Sequence, residues 1–158
     1  MLESAEFPAR GRHIIYKMEF VMRCENKAKF IKFLEKVAED VAPVSNARIA
    51  AALVYNREII SIGVNQKKSH PFQRKFTKNE HAIFLHAETD AIKNALKKYD
   101  IETIAKSTLF ICRMKKDEVT GEYIRGLARP CIGCLRAIAT FNIKEVYYTT
   151  DGEDINTL

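Results

Sequence analysis

Pro130-Cys131-Ile132-Gly133-Cys134 opens a helical stretch that runs to about Phe141. Two apolar runs flank it, Thr108 to Cys112 before and Lys144 to Thr149 after. Both have the length and composition of buried strands. A strand–helix–strand succession implies parallel pairing through a right-handed crossover. Leu135 and Ile138 fall on the same side of the helix as the two cysteines. Pro130 fits a helix start, where its missing N–H costs nothing. This segment commits the chain to an α/β fold.

Working toward the N-terminus, His86-Ala87-Glu88 begins a second helix, predicted to reach about Tyr99. Its Ala87, Ala91, Ile92, Ala95 and Leu96 are small and apolar enough to lie on a sheet. Arg48 to Tyr55 and Ile59 to Val64 read as a hairpin around Asn56-Arg57-Glu58. From Asn26 to about Val41 the period is helical. Phe30, Leu34, Val37 and Val41 form its apolar stripe, with Ile31 and Ala38 beside it. Asn26 can cap this helix and Pro43 ends it.

The expected order is α, β, β, α, β, α, β. It predicts a three-layer α-β-α fold: a mixed sheet with an antiparallel first hairpin and parallel later strands, flanked by helices. Two polar segments interrupt it. Segment 66–85 is basic, and Pro71 is expected to block a regular helix there. Segment 114–129 carries Gly121, Tyr123 and Gly126. Asp151-Gly152 breaks the last strand and the remaining residues are polar. Residues 1–23 show no clear period and are expected to form a loosely ordered arm. Residues 24–158 then form a single domain.

The 158 residues suffice for one domain with a real core. No apolar run approaches the roughly 20 residues of a membrane span, and no export signal is evident. Of four cysteines, two sit in the Cys-x-x-Cys pair, leaving Cys24 and Cys112 unpaired in sequence. That usage points to a cytoplasmic protein rather than a disulfide framework. A net charge of +6 favours anionic partners.

His86, Cys131 and Cys134 are three good zinc ligands. Cys131 and Cys134, spaced i and i+3, project from one face of a helical first turn. A helix N-terminus favours thiolate. If both helices pack on one side of the sheet, their starts meet at the strands' C-terminal ends, where open α/β sheets bind ligands. Three protein ligands leave a coordination position open for water, as in catalytic zinc sites. Glu88 is not needed as a ligand and can act as general acid and base. A lone Cys-x-x-Cys is commonly half of a structural zinc site or a redox pair, and a lone His-x-Glu means little. Together, each opening a helix, they are specific. His13, His70 and His81 have no such support.

These motifs, H-x-E with P-C-x-x-C, are the signature of zinc-dependent nucleobase deaminases. From about Asn26 to Thr150 the chain resembles the cytidine/deoxycytidylate deaminase superfamily. The resemblance implies zinc held by His86, Cys131 and Cys134, with Glu88 as proton shuttle. It implies that the Ala87 N–H meets the base carbonyl. It also implies that Asn65, in Gly63-x-Asn65, contacts the sugar. His86 in the histidine slot is closest to the deoxycytidylate and nucleic-acid-editing branches. The implied reaction is hydrolytic deamination of a cytosine nucleotide, most simply dCMP to dUMP, by a homo-oligomer. Lys67, Lys68, Arg74 and Lys75 would meet phosphate, or else line a solvated loop. Arg129 would reach phosphate or face solvent. Phe72, Phe76 and Tyr123 would serve an alternative, deamination of cytosine or adenine within single-stranded DNA or RNA, or else pin loops to the core. A zinc-stabilised binding protein without turnover is disfavoured by Glu88, which a structural site does not need.

Overall fold

The computed structural model describes residues 12–78 and 84–158, with side chains from residue 26 onward. The first helix, α1, spans Arg12–Glu39. It begins well before Asn26, the predicted cap, because no glycine or proline interrupts residues 12–42. Residues 12–23, read from the sequence as part of a loosely ordered arm, lie within α1, and residues 1–11 of that arm lie outside the described residues.

Strands β1 (Arg48–Tyr55) and β2 (Glu58–Val64) form the antiparallel hairpin predicted for this region. Asn56 and Arg57 both take positive φ at its turn. Strand β5 (Thr108–Lys116) pairs antiparallel with β1 and parallel with β7 (Glu145–Thr149). A short β8 (Ile155–Thr157) pairs antiparallel with β7. The resulting sheet has six strands, ordered β2-β1-β5-β7-β8, with β6 (Tyr123–Gly126) paired to the far end of β5.

The strand alternation splits the core into two. Ala50, Ala52, Val54, Phe110, Cys112 and Met114 face Ile31, Leu34 and Ala38 of α1. Ala51, Leu53, Leu109 and Ile111 face the other way. There they meet α3 (Ala87–Leu96), α4 (Ile101–Ala105) and α5 (Ile132–Thr140). The fold is thus a three-layer α/β sandwich, helix, mixed sheet, helices. Gly63 of β2 shows how closely α3 rests on the sheet. A methyl group there would lie 2.2 Å from the Ala87 carbonyl oxygen and 2.2 Å from the Ala91 nitrogen.

Both polar segments carry regular elements among their described residues. Within 66–85, β3 (Gln66–Ser69) pairs with β4 (Phe84–Leu85), and α2 spans Pro71–Thr77. Pro71 does not block this helix. It stands in the first turn, and the His70 Nδ1 caps it by accepting from the Phe72 N–H. Segment 114–129 is the extended end of β5 and its hairpin partner β6. At the tip, the Asp117 carboxylate accepts from the Val119 and Thr120 N–H groups, and Gly121 takes φ +71°. Strand β8 lies in the tail that reads as merely polar, because a short edge strand exposes most of its side chains. Among the described residues no helix is long and apolar enough to cross a membrane.

Candidate metal centre

Ala87 and Ala91 of α3 and Ala137 and Ile138 of α5 belong to one core cluster, so both helices lie on the same face of the sheet. Their N-termini converge as the spacing argument predicts. His86 is the N-cap of α3 and Cys131 the N-cap of α5. Both have extended backbones, and neither uses its side chain to cap its helix. The two side chains are therefore free to face each other. Pro130 precedes the cap rather than opening the helix, so α5 starts slightly later than predicted.

The His86 Nδ1 lies 3.4 Å from the Cys131 Sγ and 3.3 Å from the Cys134 Sγ. All three donor atoms fall within 4.8 Å of one another, the one such cluster among the described residues. Bonds of about 2.1 and 2.3 Å meeting at a tetrahedral angle separate nitrogen and sulfur by about 3.6 Å. One nitrogen and two sulfurs at these separations suit zinc. Cys131 is exposed and Cys134 is fully buried, so the cluster opens to solvent on one side.

The three donors are coupled electrostatically. The hydrogen bond from Cys134, then that with His86, pulls the Cys131 thiol down to about 3. The same bond and burial push Cys134 up. His86 is raised, chiefly by its bond to Cys131 and against the effect of burial. Glu88 is only 5% exposed, and burial pushes its carboxyl up. It lies against the Cys134 thiol, beside the three donors but not among them. A buried carboxyl beside a metal centre is placed to take up and release a proton.

The other predicted site residues divide. Ala87 is buried, and its N–H, at the first helical position, has no intrahelical acceptor. Asn65 is buried at the end of β2. Its Oδ1 accepts from the Ile49 N–H and its Nδ2 donates to the Ala47 carbonyl. Lys67 and Lys68 are exposed on β3, Arg74 and Lys75 on α2, and Arg129 in the loop leading to Cys131. Tyr123 is not brought to the centre. It packs with the α1-side core, under Arg48 and Lys116, and the sheet lies between it and His86. Phe72 and Phe76 pack with Phe141, so they pin α2 rather than wait for bases. The His70 ring is used as a cap, and His81 lies outside the described residues.

Two polar residues near the centre escaped the sequence reading. Asp90, 3% exposed, accepts from the Val64 N–H and the Gln66 side chain and pairs with Lys93. Gln73, fully buried on α2, accepts from the His86 N–H. An acidic residue in a first helical turn was the available signal for Asp90. Gln73 had none, being one polar residue in a polar segment.

The sequence profile of the family described as "cytidine and deoxycytidylate deaminase zinc-binding region" matches residues 24–150. The chain belongs to the cytidine and deoxycytidylate deaminase family. This deaminase shares its fold with cytidine deaminase from Burkholderia pseudomallei. That pair has 20% identity and a TM-score of 0.55, over 81% of this chain and 87% of the other. The dCMP deaminase from cyanophage S-TIM5, in apo form, aligns at 24% identity and a TM-score of 0.49, over 79% of this chain and 86% of that one. No curated protein sequence matches the chain. The deaminase is a zinc-dependent hydrolase of the kind that deaminates cytosine nucleosides and nucleotides, with zinc as cofactor.

Proposed function

We propose that this deaminase converts dCMP to dUMP, releasing ammonia. The observation that carries the chemistry is Glu88, buried against Cys134 beside three convergent donors. His86, Cys131 and Cys134 would hold the ion. When bound, zinc supplies Lewis acidity that brings the pKa of water down to about 7. Glu88 would take one proton from an attacking water as its oxygen adds at C4 and deliver it to the ring nitrogen N3; it would then take the remaining proton from the C4 hydroxyl and pass it to the departing amine. The C4 amine leaves as ammonia and C4 becomes a carbonyl. The Ala87 N–H, unclaimed within α3, would hold the base carbonyl. Asn65 keeps one amide N–H beyond its bond to Ala47 and would meet the sugar.

The preference for a nucleotide rests on exposed cations near the centre. Arg129 stands two residues before Cys131. Arg74 and Lys75 project from α2, which packs on α5. With Lys67 and Lys68 they supply positive charge for one phosphate. A polynucleotide reading has lost its aromatic candidates, since Phe72 and Phe76 pack on Phe141 and Tyr123 lies behind the sheet. Cytoplasmic residence, in a homo-oligomer, completes the proposal, and sedimentation of the purified protein tests the assembly.

The deciding experiment incubates the zinc-loaded protein with dCMP, CMP, dCTP, deoxycytidine and a cytosine-bearing oligonucleotide. Loss of the amine is followed by absorbance. The expected result is fastest turnover of dCMP, with Arg129→Ala raising KM more than it lowers kcat. Turnover of the oligonucleotide alone would sink the proposal.

A further inference from the structure

Helix α2 is wedged between the two helix starts that carry the metal donors. On one side it meets α5. Gly133 lacks a side chain where a methyl group would lie 2.8 Å from the Thr77 Cγ2. Arg136 of α5 donates to the Phe76 and Thr77 carbonyls at 3.0 and 3.3 Å. On the other side it meets α3 through Gln73. The Gln73 Oε1 accepts from the His86 N–H at 3.1 Å and also from the Thr89 hydroxyl. The Thr89 hydroxyl lies in turn 3.0 Å from the His86 carbonyl oxygen. The His86 N–H is thus held by Gln73, while its carbonyl accepts from the Asp90 N–H within α3 at 2.9 Å.

Gln73 is a costly residue for this place if packing were its task. It is fully buried, and its Nε2 has no hydrogen-bond partner among the described residues. A buried unpaired donor costs stability that an apolar side chain of the same shape would not. What Gln73 provides is an acceptor aimed at the residue that bears the histidine donor. Groups that orient a metal ligand set the affinity of the site, and losing one commonly costs about 10- to 100-fold.

We propose that Gln73 is a positioning residue for the metal centre: through the His86 N–H and the Thr89 hydroxyl it fixes the imidazole against the two thiols of α5. The proposal rests on His86, Cys131 and Cys134 being the zinc ligands, as in the function proposed above. It makes α2 part of the metal site without supplying a ligand.

The test measures metal affinity apart from turnover. Zinc competition with a chromogenic chelator, and the visible spectrum of the Co(II)-loaded protein, are compared for wild type, Gln73→Met and Gln73→Glu. Leu34→Ala, a truncation in the α1-side core, serves as a control that lowers stability without touching the centre. Gln73→Met should weaken zinc binding about 10-fold or more and shift the Co(II) bands. Gln73→Glu, which keeps an accepting oxygen, should recover most of that loss. Leu34→Ala should bind as wild type does. Wild-type affinity in Gln73→Met would overturn the proposal. So would a loss in Leu34→Ala equal to that in Gln73→Met, or a Gln73→Glu as weak as Gln73→Met. A wild type that binds neither Zn(II) nor Co(II) would instead refute the ligand assignment beneath it.

Discussion

Glu88 and Cys112 are both buried acids, yet burial serves them differently. Glu88 sits where burial raises its carboxyl beside the metal donors, so it can cycle a proton. Glu88→Gln keeps the shape and removes that capacity. It should retain stoichiometric zinc by elemental analysis while kcat falls about 10²- to 10⁴-fold. An unchanged kcat would remove Glu88 from the mechanism. Cys112 lies on the opposite face, and burial pushes its thiol up to about 12, with the Glu35 charge adding to the rise. In the unfolded chain it ionises near its ordinary 9.0. The folded state then holds the proton more tightly. The stability this gives is fully present below about pH 9 and drains away as pH rises toward about 12. Between pH 8 and 10.5, urea unfolding should show wild type losing about 2 kcal/mol more than Cys112→Ala. At this scale the sequence was legible where the chemistry lies in spacing, as with His86, Glu88 and the two cysteines. It was opaque for Tyr123, whose side of the sheet depends on how β6 pairs with β5.

Helix α3 owes its position to Gly63, whose missing side chain lets the Ala87 carbonyl and Ala91 nitrogen approach β2. Gly63→Ala meets backbone atoms on both sides, so no rotamer change relieves it. Urea unfolding should register a loss of about 3 kcal/mol. Turnover should fall as well, because Ala87 and Glu88 occupy the turn that must move. Wild-type stability in that variant would mean that α3 does not rest on β2 as described. The elements were read with uneven success, for physical reasons. Helices α3 and α5 and strands β1, β2, β5 and β7 announce themselves by apolar pattern. Helix α2 hides behind Pro71, which marks a break when read inside a polar run and a start when His70 caps the turn after it. Strands β3 and β8 are too short and too exposed to carry a period.

Across the whole molecule, the ion would join two helices that share a sheet face but no direct sequence continuity. Binding only to the folded form, it stabilises that form by mass action. Stripping with dipicolinate should lower Tm by about 10 °C relative to protein with free zinc at 1,000 times Kd, and added zinc should restore it. His86→Ala should melt at the stripped temperature with or without zinc, as read by circular dichroism. An identical Tm for loaded and stripped wild type would mean that the centre does not tie α3 to α5. The overall architecture followed from the order of strand-like and helical runs. What that order did not reveal was how α2 fills the gap between the two motif helices, since its contacts cross between segments far apart in sequence.

The β5–β6 tip at residues 117–122 has one more implication. Val119 there is 94% exposed, and the chain crosses this point only once. A cut at the tip would leave the imidazole and the carboxylate on one fragment and both thiols on the other. Neither fragment could assemble the three-donor set alone. The deaminase is in this sense already divided into two complementary halves, and capture of the metal would report that they had come back together.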